Sequence, residues 1–119
     1  AGMSFLPSRT RVFLCLAHTE MRKSFDKLAA LVTEVMKCDP LSKDLFVFRN
    51  RAEDRMKILF WDRSGFCLYY KRLEKGRFSF PAVASAEGVE IDHAELLLIL
   101  EGIELDGAKR ARRFCLPNK

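Results

Sequence analysis

The stretch RMKILFWDRSGFCLYYKRL, residues 55–73, decides the fold of this chain. Two runs of apolar and aromatic residues flank Asp62–Gly65, a polar segment ending in glycine that is typical of a tight turn. The spacing predicts strands over 55–61 and 66–73, joined as an antiparallel hairpin.

The segments before this hairpin predict two further strands and a helix. RVFLCLA, residues 11–17, is apolar on both faces and predicts a first strand. Apolar residues then recur in steps of three and four, which predicts an amphipathic helix over 20–36 with Thr19 as its N-cap. LFVF, residues 45–48, predicts a second strand.

The segments after the hairpin predict a short extended piece over 77–80, a surface loop over 82–88 and a second helix. Asp92 followed by Glu95 matches a capping box, and the helix is expected to end near Gly102. Short loops between the central strands favour an antiparallel arrangement. We therefore expect an α+β fold, a single domain with an antiparallel sheet of four to five strands and two flanking helices.

The length of 119 residues fits one compact domain. We expect this domain to span residues 10–106. Residues 1–9 form an N-terminal extension whose first two residues resemble a cloning remnant, and residues 107–119 form a basic C-terminal arm.

Hydropathy and cysteine usage predict a cytoplasmic protein with no membrane contact. The apolar runs, such as Leu96–Leu100, are far shorter than the roughly 20 residues of a membrane helix. No secretory pattern is present, and the scattered cysteines lack the CxxC spacing of metal sites, so we expect them to be reduced.

Charge is segregated along the chain, although the net value is only +5. Residues 1–77 carry 16 basic and 9 acidic side chains, residues 78–106 carry seven acids and no Lys or Arg, and residues 107–119 carry five cations and no acid. The basic parts suit an anionic partner. The acidic part could fold back on them or face a basic protein.

Two features predict nucleic-acid contacts. Arg22 and Lys23 fall in the first turn of the expected helix, where the macrodipole disfavours cations, so they could form a phosphate site with free backbone N–H groups. The alternative is a solvated pair in which Asp26 balances Arg22.

The second feature is a face of the hairpin on which Lys57 and Trp61 lie beside Tyr70 and on which bases could stack. The alternative is that the helices bury both faces of the sheet, with Trp61 in the core. The remaining candidate phosphate contacts, on the hairpin, at strand ends and in the arm, are Arg49, Arg51, Arg55, Lys71, Arg72, Lys75, Arg77, Lys109, Arg110, Arg112 and Arg113.

No catalytic constellation is evident, so we expect neither an enzyme nor a metal or cofactor site. The carboxylates lack the spacing of a two-metal nuclease, and Asp62 and Asp26 have ordinary turn and helix roles. His18 and His93 are the only histidines, and no glycine-rich phosphate loop is present.

Four segments together resemble the TnpB accessory-protein family of the insertion-sequence-sixty-six group of bacterial transposable elements. They are TRVFLCLAHTEMRKSFDKLAALV (10–32), LFVFRNR (45–51), KILFWDRSGFCLYYKRLEKGRF (57–78) and LLLILEGI (96–103). The resemblance implies a small accessory protein encoded beside a much larger transposase, without an agreed biochemical activity. The chain departs from the family at His18 and in the loop 82–86.

The resemblance and the basic segments together predict a non-catalytic accessory protein in DNA transposition. We expect it to bind DNA within a transposase complex, through phosphate contacts that do not read sequence. The alternative is a protein adaptor that docks on the transposase without contacting DNA, through the acidic helix 92–102 or an exposed sheet edge. The sequence leaves homo-oligomerisation open.

Overall fold

The computed structural model describes residues 10–81 and 88–103, which contain five strands and two helices. In chain order these are β1 (Val12–Leu14), α1 (Phe25–Glu34), β2 (Leu45–Arg49), β3 (Arg55–Asp62), β4 (Gly65–Arg72), β5 (Val89–Ile91) and α2 (His93–Leu100). The expected α+β class is confirmed. Neither helix is long and apolar enough to cross a membrane.

The predicted hairpin is confirmed by the pairing of β3 with β4. The strands run antiparallel over eight residues each, and Asp62 lies opposite Gly65. Arg63, in the turn, has a φ of +56°, the left-handed geometry that suits a tight hairpin turn. Trp61 lies opposite Phe66, so the expected assignment of side chains to the two faces also holds.

The five strands form one sheet in the order β4-β3-β2-β1-β5. All neighbours pair antiparallel except β1 and β2, which are parallel. The parallel pair was not predicted, and it arises because α1 carries the chain from the end of β1 back to the start of β2. The sheet is therefore mostly antiparallel, as expected.

The fifth strand of the sheet is β5, at Val89–Ile91, and not the extended piece that we expected at 77–80. Residues 77–80 are not a strand, and Phe78 instead donates its backbone N–H to the carbonyl of Glu53 at 2.7 Å. Residues 82–87 of the expected loop lie outside the described residues.

Two apolar clusters lie on opposite faces of the sheet, because successive strand residues point to opposite sides. On the α2 side the core includes Val12, Leu14, Leu45, Val47, Met56, Ile58, Phe60, Leu96 and Ile99. On the α1 side it includes Leu28, Val32, Phe46, Phe48 and Leu59. Each helix thus covers one face of the sheet, as in the buried alternative, but Trp61 belongs to neither cluster.

Helix α1 begins at Phe25, later than predicted, and its N-cap position is Ser24, which makes no side-chain cap bond. The expected N-cap, Thr19, is buried, and its backbone N–H bonds to the carbonyl of Arg49 at 2.9 Å. In the segment before the helix, the carbonyls of Met21 and Lys23 accept hydrogen bonds from a side chain on β3.

The capping box predicted for α2 is confirmed. Asp92 accepts the backbone N–H of Glu95 at 2.8 Å, and the Glu95 carboxylate accepts the backbone N–H of Asp92 at 3.3 Å. The helix is followed by Gly102 with a φ of +74°, close to the predicted end.

Replacing Asp92 by alanine is expected to lower the free energy of unfolding by about 1 kcal/mol, because the first turn of α2 loses its cap. Urea unfolding followed by circular dichroism measures the change. Glu101→Ala, which removes an exposed acid from the other end of the same helix, serves as the control. Equal stabilities for the two variants would contradict this role of Asp92.

Candidate nucleic-acid interface

A groove of about 580 Å³ opens at one end of the sheet, between the segment before α1 and the turn that joins β2 to β3. Its walls are formed by His18, Thr19, Glu20, Met21, Arg22, Asn50, Arg51, Ala52 and Arg55. Three of the predicted phosphate-binding residues, Arg22, Arg51 and Arg55, therefore lie together around one depression. We call this depression the arginine groove.

The β2–β3 turn owes its shape to the side chain of Asn50. The amide oxygen accepts the backbone N–H groups of Asp54 and Arg55 at 3.1 and 3.0 Å, and the amide nitrogen donates to the Asp54 carboxylate at 2.9 Å. Asparagine is suited to such local side-chain-to-backbone bonding. Arg51 and Arg55 therefore project from a turn whose backbone is held in place.

The opposite wall is held in place by Lys57 on β3. This side chain is buried, and its ammonium group donates to the carbonyls of Met21 and Lys23, the latter at 2.8 Å. It also lies 4.9 Å from the centroid of the Tyr70 ring. Burial lowers the pKa of Lys57. The structure thus places Lys57 under the groove as a support rather than on its surface.

The three groove arginines differ in how their charge is offset. Arg22 is 84% exposed and bonds to the Glu20 carboxylate at 3.1 Å, a surface pair of small energetic value. Arg51 and Arg55 are exposed, and within the described ranges they form no ion pair. The groove therefore carries two uncompensated guanidinium groups and a weakly compensated third.

A like-charge pair lies beside the groove. Arg55 lies directly opposite Arg72 in the β3–β4 register, and a carboxylate offsets the unfavourable pairing at Arg72. Arg72 also bonds to Glu74 at 2.8 Å, and this hydrogen bond raises the pKa of Arg72.

A smaller depression of about 340 Å³ adjoins the groove and is lined by Glu20, Arg22, Lys23 and Lys27. Lys23 contributes to the positive surface from a position before the helix rather than from its first turn. Lys27 was missed by the sequence reasoning. Its spacing of four residues from Lys23 on the expected helix was the available signal.

Two of the cations that we predicted to contact phosphate instead bind groups within the protein. The Arg49 guanidinium donates to the carbonyl of Phe78 at 2.7 Å and lies 4.1 Å from the Phe80 ring centroid, and burial lowers its pKa. Lys71 donates to the carbonyl of Leu100 at 2.8 Å, where the end of α2 presents unpaired carbonyls. Neither group faces the arginine groove.

The remaining basic candidates lie around the far side of the turn or outside the described residues. Arg77 is 61% exposed and lies 3.7 Å from Glu53, and Lys75 is exposed in the turn before Gly76. The predicted arm residues Lys109, Arg110, Arg112 and Arg113 lie outside the ranges that the structure describes.

The two aromatic candidates do not form a continuous stacking surface. Trp61 is half-buried and contacts the Phe66 ring edge-on, with 5.1 Å between centroids. Tyr70 is 51% exposed but lies towards the other end of the strand pair, and buried Leu59 separates the two rings on this face. A stacking role for either ring stays a prediction.

In residues 10–81 and 88–103, no three His, Cys, Asp or Glu side chains come close enough together to hold a metal ion. His18, in the wall of the arginine groove, contacts the Glu53 carboxylate at 3.1 Å. The exposed arginines of the groove are cationic donors, which suit an anion.

Comparison with known proteins identifies relatives over most of the chain. The family model described as IS66 Orf2 like protein matches residues 10–110. The uncharacterized protein y4hO of Sinorhizobium fredii (strain NBRC 101917 / NGR234) is 45% identical over 103 residues, which cover 83% of this chain and 87% of its own. Protein y4jC of the same strain, also described as uncharacterized, is 34% identical over 105 residues, covering 87% and 89% respectively. No solved structure matches significantly.

Replacing Lys57 by methionine is expected to lower the free energy of unfolding by about 1–3 kcal/mol, because the carbonyls of Met21 and Lys23 lose their buried donor. Chemical unfolding measures the change, with Lys75→Met as the matched control at an exposed site. An unchanged stability for Lys57→Met would show that the ammonium does not hold this wall.

Proposed function

The chain belongs to the family of IS66 Orf2-like proteins, and from this premise we propose that it binds the phosphate backbone of DNA during transposition. Family membership makes it a transposition-associated accessory protein. The DNA contact, its place in a complex with the transposase and the absence of catalysis are parts of the proposal.

The convergence of Arg22, Arg51 and Arg55 on one open groove is the observation that carries the proposal. Guanidinium groups bind phosphate oxygens through paired, charge-assisted hydrogen bonds. Because Arg51 and Arg55 have no ion-pair partner among the described residues, binding a phosphate would break no internal ion pair of theirs. Lys23 and Lys27, in the adjoining depression, extend the cationic surface to a further phosphate.

The chemistry of this surface favours contact with any duplex rather than reading of a sequence. Phosphate contacts fix the position of a protein on DNA but carry no base information. An accessory protein with such a surface would hold element ends that another protein recognises. The transposase is the natural candidate for that recognition.

A second function, docking on the transposase without DNA, is favoured by exposed apolar residues at α2. Leu97 is 43% exposed and Ile103 is 47% exposed, although both are large apolar side chains. A pull-down with the element's own transposase, with and without end DNA, separates the two functions. Capture that needs DNA supports the DNA-binding proposal, and capture that is independent of DNA and lost in Leu97→Lys supports the adaptor.

Replacing Arg22, Arg51 and Arg55 together by glutamine is expected to weaken binding to a labelled duplex of arbitrary sequence. Each lost phosphate contact should also flatten the dependence of log affinity on log salt by about 0.9. Titration of the duplex at several salt concentrations measures both effects.

A triple variant with the same loss of charge provides the control. Lys37, Lys43 and Arg63 are exposed cations at the other end of the sheet, and their replacement by glutamine removes the same three charges. This variant should retain most of the affinity. Equal losses in the two triple variants would reduce the effect to net charge, and no binding by the parent chain even at low salt would reject DNA contact altogether.

Removing residues 107–119 is expected to weaken binding to unrelated duplexes about as much as binding to element ends, because the five cations of this segment would contact phosphates alone. Parallel titrations with the two kinds of duplex measure the ratio of affinities. A truncation that weakened only the binding to element ends would show that the arm reads sequence.

A further inference from the structure

The two edges of the sheet differ in how they are protected. The edge strand β5 has three residues, whereas the other edge strand, β4, has eight. Short strands are one of the ways in which proteins prevent unwanted pairing at a sheet edge. The long edge offered by β4 lacks this protection.

The hydrogen-bonding groups on the outer side of β4 belong to alternate residues. Because Asp62 and Gly65 close a two-residue turn, Cys67 and Tyr69 exchange backbone bonds with β3, and Phe66 and Leu68 direct theirs outward. The N–H of Leu73 bonds to the carbonyl of Asp54, which fits the same alternation. Within residues 10–81 and 88–103, no backbone group pairs with the outward groups of β4.

The side chains along this edge are apolar where a protected edge would carry charge. Phe66 and Leu68 are half-buried on the α1 face, and Cys67 and Tyr69 are half-buried on the α2 face. A hollow of about 310 Å³ lies beside the strand and is lined by Phe60, Asp62, Cys67, Leu68 and Tyr69. As far as the described residues go, the edge therefore offers both unpaired backbone groups and space for an incoming side chain.

We propose that two copies of this chain pair through their β4 strands, antiparallel about a twofold axis at Leu68, and form one continuous sheet. In this register Leu68 faces Leu68 of the second copy, and Phe66 faces Tyr70. All of these residues direct their backbone groups outward, so every bond in the new ladder has a donor and an acceptor. Cys67 of one copy faces Tyr69 of the other, beside the hollow.

The distribution of charge along β4 selects a second copy in the antiparallel sense. The cations Lys71 and Arg72 lie at one end of the strand and face Gly65 and Ser64 at the turn end of the other copy. A parallel pairing would place the same cations side by side, which is unfavourable. Strand β4 is therefore complementary to a second copy of itself only when the two copies run antiparallel.

Sedimentation velocity of the full chain under reducing conditions and without DNA tests the pairing. Across about 1–300 µM protein, the mass should rise from 13.7 kDa towards twice that value. Leu68→Pro removes one N–H group that points outward from β4 and leaves the bonds between β4 and β3 intact. This variant should therefore remain monomeric, and its circular dichroism should show that it is folded. The control Leu97→Lys, which alters the exposed apolar residue on α2, should dimerise like the parent chain.

Hydrogen exchange of the parent chain provides a second test that does not depend on a variant folding. The amides of Phe66, Leu68 and Tyr70 should exchange more slowly as the protein concentration rises, while the amide of Cys67, already bonded to β3, should change little. A chain that is monomeric at every concentration would overturn the proposal. So would edge amides protected equally at all concentrations, since the chain's own residues would then cover β4, or a dimer that Leu97→Lys abolishes and Leu68→Pro leaves intact.

Discussion

Glu53 joins the turn between β2 and β3, whose shape Asn50 sets, to distant parts of the chain, and the end of the sheet that carries the arginine groove depends on this junction. Glu53 has a φ of +64°, and its carboxylate contacts His18 and Arg49 at 3.1 and 3.3 Å and Arg77 at 3.7 Å. Its carbonyl accepts the N–H of Phe78. Segments far apart in the chain are thereby joined at one point, and a left-handed residue is maintained because its surroundings fix it.

The cations fall into two groups, and this division limited what the sequence could predict about the site. A cation withdrawn from solvent must be paired or hydrogen-bonded, and buried Lys57 and half-buried Arg49 and Lys71 meet this requirement with partners 4 to 36 residues away. Local sequence gives no sign of such partners. It grouped Arg51 and Arg55 with Arg49 and Lys71, and only the fold separates the exposed pair and brings it beside Arg22.

The sequence predicted the elements whose formation depends on neighbouring residues. It did not predict those that depend on contacts with residues far away in the chain. The hairpin follows from a turn between two apolar runs, and α2 follows from a capping box that spans four residues. The segment before α1 is instead bound to Lys57, which donates to the carbonyls of Met21 and Lys23 from 34 to 36 residues away. The parallel pairing of β1 with β2 and the short edge strand β5 likewise depend on contacts that no local pattern records.

The acidic segment over 78–106 shows that a run of acidic residues in the sequence does not have to form an acidic surface. Of its described acids, Asp92 and Glu95 bond reciprocally at the start of α2, and Glu95 is buried. Acids at a helix N-terminus also offset the macrodipole, so their placement is stabilising within the chain itself. Only Glu90 and Glu101 then remain as exposed acids without a capping role in the described part of this segment. Docking of this side of the protein on a partner would therefore rest on the exposed apolar surface of Leu97 and Ile103 rather than on attraction to a basic protein.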